Sequence, residues 1–239
     1  MLQPRDRLIV ALDVPSAAQA RQVIHTLGDA ITTYKIGKQL FTAEGPEIVR
    51  ELVASGRKVF LDLKFHDIPN TVGSAVRAAA DLGVSMLTVH ASGGSKMLKA
   101  AVEAANSSTA KPLILGVTVL TSMGDADLQE IGVAGNVLSQ VLRLGALARA
   151  AGCAGLVASA HEARELRREL GDGFEIVTPG VRPAGAAVGD QARVLTPAEA
   201  ILAGATRLVV GRPILAAESP IRAVQALLAD IELPANARG

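Results

Sequence analysis

Asp62, Lys64 and Asp67 place an acid, a base and a second acid within six residues. Ionisable groups packed this densely form a candidate charge network, of the kind that tunes acid–base chemistry. The stretch over 58–64 reads as a strand, and side chains along a strand point alternately to its two faces. Asp62 and Lys64 then share one face with Phe60 beside them, while Leu61 and Leu63 point the other way. An Asp and a Lys on a strand built for burial are costly to desolvate unless they pair. Asp67 lies beyond the strand end, because Pro69 cannot continue a ladder. A structural ion pair capping the strand would use the same residues, and on this stretch alone the two readings weigh about equally.

The elements that position this cluster are read from apolar runs and the residues that stop them. The run over 7–13 is a first strand ending in the carboxylate of Asp13. Val14-Pro15-Ser16 stops it, and Ser16 with Gln19 reads as a capping box for the next helix. Further strands are expected over 33–37, 58–64, 85–90, 113–118, 155–159, 175–178 and 207–212, with helical patterns between them. The helix after the second strand is expected to bury Ile48, Val49, Leu52 and Val53. A helix from 69 to about 82 turns Val72, Ala75, Val76 and Ala79 inward. Thr196-Pro197-Ala198-Glu199 is a second capping box with proline at the first helical position, and Ser219-Pro220 repeats the signal.

Eight apolar strands alternating with helices predict a parallel sheet. The strands lack clean polar alternation, as expected when both faces are covered. Closure into an α/β (β/α)8 TIM barrel, one domain over 1–239, is the simplest use of eight units; an open doubly wound sheet is the alternative. Two connections, 120 to about 136 and 180 to about 195, are too long for plain turns. The second is glycine-rich, carries Arg182 and Gln191, and is expected to act as a lid.

Composition narrows the function. Hydrophobic residues make up 49% of 239, enough for a sizeable core, and aromatics only 2%, so that core must be aliphatic. A net charge of +1 gives no electrostatic reason to expect nucleic acid or an acidic membrane. The single cysteine, Cys153, excludes an intrachain disulfide and fits a reducing compartment. The apolar run ending at Asp13 is too short for a signal peptide or a membrane span. The expectation is a soluble, cytoplasmic protein.

In a barrel the strand ends ring one mouth, where active sites sit. The polar residues there are Asp13, Lys35, Asp62 with Lys64, His90, Thr118, Ser159, Thr178 and Arg212. The loops after strands seven and eight, which often build a phosphate site in this fold, hold Arg182 and Gly211-Arg212. Glycine admits the backbone close to an anion, and arginine grips phosphate with two parallel hydrogen bonds. Cys153 precedes strand six and reads as a buried small residue at the opposite end. The four histidines, His25, His66, His90 and His161, lack paired ligand spacing. Asp13, Asp62 and Asp67 would have to hold Mg²⁺ against the ammonium groups of Lys35 and Lys64, so no metal site is expected.

At these residues the chain resembles the orotidine 5′-phosphate decarboxylase family, nearest its bacterial branch. The signature is Asp62-x-Lys64-x-x-Asp67-Ile68-Pro69-x-Thr71. Leu8 to Asp13, Lys35, Thr88-Val89-His90, Leu120-Thr121-Ser122, Pro179-Gly180-Val181-Arg182, Asp190-Gln191-x-Arg193-x-x-Thr196-Pro197 and Val210-Gly211-Arg212-Pro213-Ile214 follow in the same order as similar residues of that family. The resemblance implies an alternating array of Lys35, Asp62, Lys64 and Asp67, with Lys64 as proton donor. It implies a homodimer in which Asp67, Ile68 and Thr71 serve the partner's site. Asp13 and Lys35 would hold ribose hydroxyls, and Thr121 or Ser122 would read the pyrimidine. Pro179 is carried over as a substrate-binding position. Arg182, Gln191, Gly211 and Arg212 would hold the phosphate, with the Gln191 loop closing over it. No cofactor is implied, and the partners are orotidine 5′-phosphate and a second copy of the chain.

That chemistry suits the residues. Loss of CO₂ from C6 of the pyrimidine leaves a carbanion with no adjacent carbonyl sink. An ammonium fixed beside it stabilises the charge by about 4 kcal/mol at a separation of about 4 Å and an effective dielectric near 20. Two alternatives remain. Relatives such as 3-hexulose-6-phosphate synthase and 3-keto-gulonate-6-phosphate decarboxylase use Mg²⁺ and carry a carboxylate near the end of strand two, where this chain has Lys35. A non-catalytic nucleotide-phosphate binding protein would explain Arg182 and Arg212 but not a charge array in the mouth.

Overall fold

The computed structural model of the chain describes residues 2–182 and 195–236. Within them the apolar runs become β1 (Leu8–Ala11), β2 (Thr33–Gly37), β3 (Lys58–Phe65), β4 (Met86–His90), β5 (Leu113–Val117), β6 (Gly155–Val157), β7 (Glu175–Pro179) and β8 (Arg207–Val210). Every strand pairs in parallel with the next, and β8 returns to β1 through Leu8↔Leu208, Ile9↔Val209 and Val10↔Val210. The sheet is therefore a closed (β/α)8 barrel and not an open doubly wound one. Among the described residues no helix is long and apolar enough to cross a membrane.

Strand alternation sorts the core into two layers. Ile9, Ala11, Phe60, Met86, Leu115, Val177 and Val209 form one buried cluster, the filling of the barrel. Their neighbours Leu8, Val10, Leu61, Leu87, Ile176 and Leu208 belong to the other, which meets the helices. Most strands are thus apolar on both faces, which is why they read as continuous runs; β2 is an exception, with Tyr34 and Ile36 in the outer layer and Lys35 lining a cavity on the inner side. The helix Glu47–Ala54 buries Ile48, Val49 and Leu52, while Val53 is only partly covered. The helix Pro69–Ala80 has proline in its first turn and buries Val72, Val76 and Ala79; Ala75 is half-buried.

The helix starts follow the capping chemistry with one difference. Thr196 and Glu199 exchange hydrogen bonds reciprocally. Ser16 accepts from the Gln19 amide at 3.4 Å, a one-sided cap without the return bond.

Several boundaries differ from the sequence expectation. β1 stops at Ala11, two residues short of Asp13, and β6 stops at Val157. Ser159 instead caps the helix Ala160–Leu170, its hydroxyl accepting from the His161 amide at 3.3 Å. β8 ends at Val210, and Arg212 opens the short helix Arg212–Leu215. The connection from 120 to 136 is not structureless: it contains the helix Asp125–Glu130, of which only Leu128 is buried. The expected lid over 183–194, with Gln191, lies outside the described residues.

Candidate active site

The carboxyl ends of the strands surround a cavity of about 270 Å³. Its floor is apolar, from Ala11, Phe60, Val117, Val157 and Val209, the same side chains that fill the barrel or their neighbours. Its charged wall comes from β1 to β3: Asp13 just past β1, Lys35 within β2, and Asp62 and Lys64 near the end of β3.

These four side chains form an alternating row. The Lys35 ammonium donates to Asp13 Oδ1 at 2.9 Å and lies 3.8 Å from Asp62 Oδ2. The Lys64 ammonium donates to both oxygens of Asp62 at 2.8 Å. The side chains of Lys35, Asp62 and Lys64 are 11%, 12% and 25% exposed, whereas that of Asp13 is 55% exposed. The row thus runs from solvent into a shielded corner, where each charge acts more strongly than in water. A desolvated carboxylate persists only when its lone pairs are occupied; Asp62 achieves this with the Lys64 ammonium on both oxygens and the hydroxyl of Thr88, which donates to Oδ1 at 2.9 Å, while Lys35 stands 3.8 Å off as a second positive charge.

Simple strand alternation does not produce the Asp62–Lys64 pair. Lys64 has φ of 54°, a left-handed conformation that costs a non-glycine residue about 1–2 kcal/mol. The β3–β4 register shifts at the same place, between Leu61 and Phe65. The distortion turns the lysine back onto the carboxylate two residues before it. Strain of this sort survives only where surrounding bonds over-determine it, and it clusters at functional sites.

Glycine at position 37 packs closely against the charged row, a role that its residue type alone does not announce. A Cβ built there would lie 3.0 Å from the Lys35 ammonium and 3.4 Å from Asp13 Oδ1. The signal available was the Lys35-Ile36-Gly37 spacing, which puts residue 37 on the face of Lys35. Thr88 was legible only as part of a motif, since a threonine in an apolar strand looks like an ordinary strand former.

The rest of the lining comes from the residues at and after the ends of β7 and β8: Pro179, Gly180, Val181, Arg182, Gly211 and Arg212. β8 pairs with β1, and Gly211 sits beside Asp13, where a Cβ would lie 3.4 Å from Oδ2. Arg182 is buried, and its backbone amide donates to the Leu195 carbonyl at 3.1 Å, tying the end of the β7 loop to the far side of the residues beyond it. Leu120 and Thr121 line the rim, whereas Ser122 is exposed and does not reach the cavity lining.

Asp67, Ile68 and Thr71 do not line the cavity of their own chain. Asp67 is exposed and its carboxylate accepts from the Ile68 amide at 2.6 Å; Ile68 is 66% exposed. His90, Thr118, Ser159 and Thr178 also stay out of the lining. Thr118 donates to the Val157 carbonyl at 3.2 Å. His90 packs against His66 with ring centroids 5.3 Å apart, and burial, then the charges of His66 and Lys64, hold its pKa below the usual histidine value. Cys153 is buried, and burial pushes its thiol up to about 12, which suits an inert core residue. Among the described residues no group of three His, Cys, Asp or Glu side chains converges as metal ligands would.

An ammonium clamped by a carboxylate above an apolar floor, in a cavity that two arginines also line, can stabilise negative charge on a bound anion and deliver a proton to it. Comparisons with known proteins lead to the same place. The chain matches the model of the "Orotidine 5′-phosphate decarboxylase / HUMPS family" over residues 6–227. It is 50% identical over 230 residues to the orotidine 5′-phosphate decarboxylase of Hydrogenovibrio crunogenus, covering 96% of this chain and 98% of that one. With the enzyme of the same name from Halorhodospira halophila it shares 55% identity over 225 residues, 94% and 95% of the two chains. Its structure matches the crystal structure of orotidine 5′-phosphate decarboxylase from Lactobacillus acidophilus with a TM-score of 0.84 at 38% identity, covering 94% and 98%. From strand order to charged wall to sequence, the chain belongs to the orotidine 5′-phosphate decarboxylase / HUMPS family.

Proposed function

We propose that the protein decarboxylates orotidine 5′-phosphate to UMP, as a cytoplasmic step of pyrimidine biosynthesis, with neither metal ion nor other cofactor. One observation carries this reading: the Lys64 ammonium, held by both oxygens of Asp62 at 2.8 Å, lines the same cavity as Arg182 and Arg212. The arginines suit the 5′-phosphate, and the ammonium suits the far end of the nucleotide, where the base sits. In the reaction the bond from C6 to the carboxylate breaks, its electron pair stays on C6, and CO₂ leaves. Lys64 stabilises that charge and transfers a proton from Nζ to C6. Water then reprotonates the amine. Asp62 fixes the direction of the ammonium before the reaction starts, which is what preorganised electrostatic catalysis requires. Asp13 and Lys35 are placed for ribose hydroxyls, and Thr121 for the pyrimidine.

The metal-free part rests on Lys35. Its ammonium occupies the space between Asp13 and Asp62, 2.9 Å from one and 3.8 Å from the other, which a divalent cation bridging them would need. The exposure of Asp67, Ile68 and Thr71 supports a homodimer in which they complete the partner's site, with Asp67 extending the row of charges. The phosphate lies far from C6, so its binding energy can be used to raise the rate of the chemical step.

The test is to mix purified protein with orotidine 5′-phosphate and excess EDTA and follow the ultraviolet absorbance as substrate becomes UMP. Turnover under chelation is expected. No turnover with EDTA, but conversion of a keto-sugar phosphate once Mg²⁺ is added, would overturn the reading in favour of the metal-dependent relatives.

A further inference from the structure

We propose that Thr88 is a positioning residue for Lys64: its hydroxyl holds the lysine's backbone and the lysine's counter-ion at the same time. The inference rests on the reading of Lys64 as the proton donor. Thr88 lies on β4 and is fully buried. The β3–β4 pairing runs from Leu61↔Leu87 to Phe65↔Val89, so four steps along β3 pass against two along β4. A ladder with extra residues on one strand leaves backbone groups without their usual partners. The Lys64 amide is one of them, and it donates to Thr88 Oγ1 at 2.9 Å. The same oxygen donates its proton to Asp62 Oδ1 at 2.9 Å.

The direction of both bonds is fixed by chemistry. An amide N–H only donates and a carboxylate only accepts, so the hydroxyl must accept from the first and donate to the second. Adding the Lys64 ammonium on Asp62 closes a ring: lysine amide to Thr88, Thr88 to Asp62, and Asp62 back to the tip of the same lysine. Backbone and side chain of Lys64 are therefore pinned by one hydroxyl. This is the bond that holds the left-handed φ of 54° in place. A valine of the same shape would keep the packing but could do neither job. The unsatisfied amide would favour an ordinary strand conformation, and the ammonium would swing off its line to the cavity.

The experiment compares wild type, Thr88→Val and Thr88→Ser by steady-state kinetics on orotidine 5′-phosphate, UMP affinity by calorimetry, and crystal structures without ligand. Thr88→Val is expected to lower kcat roughly ten- to hundredfold, the range for a lost hydrogen bond to a charged group. KM and UMP affinity are expected to stay within about threefold, because no group that would touch the nucleotide has been removed. Thr88→Ser, which keeps the hydroxyl, is expected to recover most of kcat. In the Thr88→Val crystal, Lys64 is expected to leave the left-handed region or its ammonium to leave Asp62. Unchanged kcat in Thr88→Val, equal losses in the valine and serine variants, or an unmoved Lys64 would each overturn the inference. If wild type itself does not turn over the substrate, the decarboxylase reading is what has failed, and the crystal structures still decide the role of Thr88. If Thr88→Val does not yield folded protein, Thr88→Ala is read by the same criteria.

Discussion

Both ends of the barrel carry a network of charged and hydroxyl groups, yet the two are built differently. At the amino end Asp6 takes Lys58 at 3.7 Å and the Thr32 hydroxyl at 3.5 Å, and its carbonyl takes Arg207 Nη1 at 2.7 Å. Arg207 Nε lies 3.5 Å from Glu175, which also accepts from the Thr206 hydroxyl. These bonds tie the leading helix Pro4–Arg7 to the starts of β3, β7 and β8. At the carboxyl end, Asp13, Lys35, Asp62 and Lys64 all line one cavity, and one of them is held in a strained backbone conformation. No residue of the amino-end network has a positive φ, and none lines that cavity. Charge clusters alone therefore do not mark a working site. Convergence on a cavity, together with strain held by buried hydrogen bonds, separates the mouth from the base.

The contrast can be broken at several points. The largest effect is expected from subunit mixing. Lys64→Ala and Asp67→Ala are each expected to be inactive alone. Mixed in equal amounts and allowed to exchange, they should regain about a quarter of wild-type activity, because half the dimers are hybrids and each hybrid keeps one intact site of two. No recovery despite proven exchange would confine the working site to one chain.

At the base, Glu175→Gln should do the opposite. It removes the charge between Thr206 and Arg207, so urea denaturation is expected to show a loss of about 1–3 kcal/mol. kcat should be unchanged. A large fall in kcat with intact stability would mean that the base takes part in the chemistry.

The smallest effect concerns two buried acids away from the mouth. Burial pushes both the Tyr34 hydroxyl and the Cys153 thiol up to about 12, from ordinary values of 10.0 and 9.0. Between pH 9 and 12 the unfolded chain has lost protons that the folded chain keeps, so stability falls as pH rises through this window. Tyr34 has no hydrogen-bond partner for its hydroxyl among the described residues, so Tyr34→Phe should cost little at neutral pH. Together with Cys153→Ala it should flatten part of the alkaline loss in urea titrations. A slope identical to wild type would remove these two groups from the explanation.

The sequence carried the barrel well, because parallel strands covered on both faces leave long apolar runs that turn residues punctuate. Strand ends were less legible. Ser159 and Arg212 extend such runs in composition, but the barrel's register ends the ladder first and hands both residues to helix starts. The six-residue helix Asp125–Glu130 was missed because one buried residue gives no periodicity. In the site, Asp13, Lys35, Asp62, Lys64, Arg182 and Arg212 are legible as mouth residues and all line the cavity, whereas His90, Thr118, Ser159 and Thr178, expected at the same mouth, do not. The left-handed Lys64 was not legible. Asp62-Leu63-Lys64 has the regular alternation of a strand, and the bulge that breaks it depends on where β4 offers Thr88, a contact 24 residues away. Gly37 escaped for a similar reason: its role is the absence of a side chain beside a lysine two positions earlier.

In the proposed reaction the clamped ammonium of Lys64 performs the chemistry while other groups bind the nucleotide. The most direct test measures orotidine 5′-phosphate turnover and UMP affinity side by side in wild type and Lys64→Ala. In Lys64→Ala, kcat is expected to fall about 10⁴-fold or more, the combined range for losing a positioned charge and a general acid. UMP affinity should remain within about tenfold, since Arg182 and Arg212, proposed to hold the phosphate, are intact. Turnover near the wild-type rate in Lys64→Ala would show that Lys64 is not the proton donor, whatever the state of the other residues.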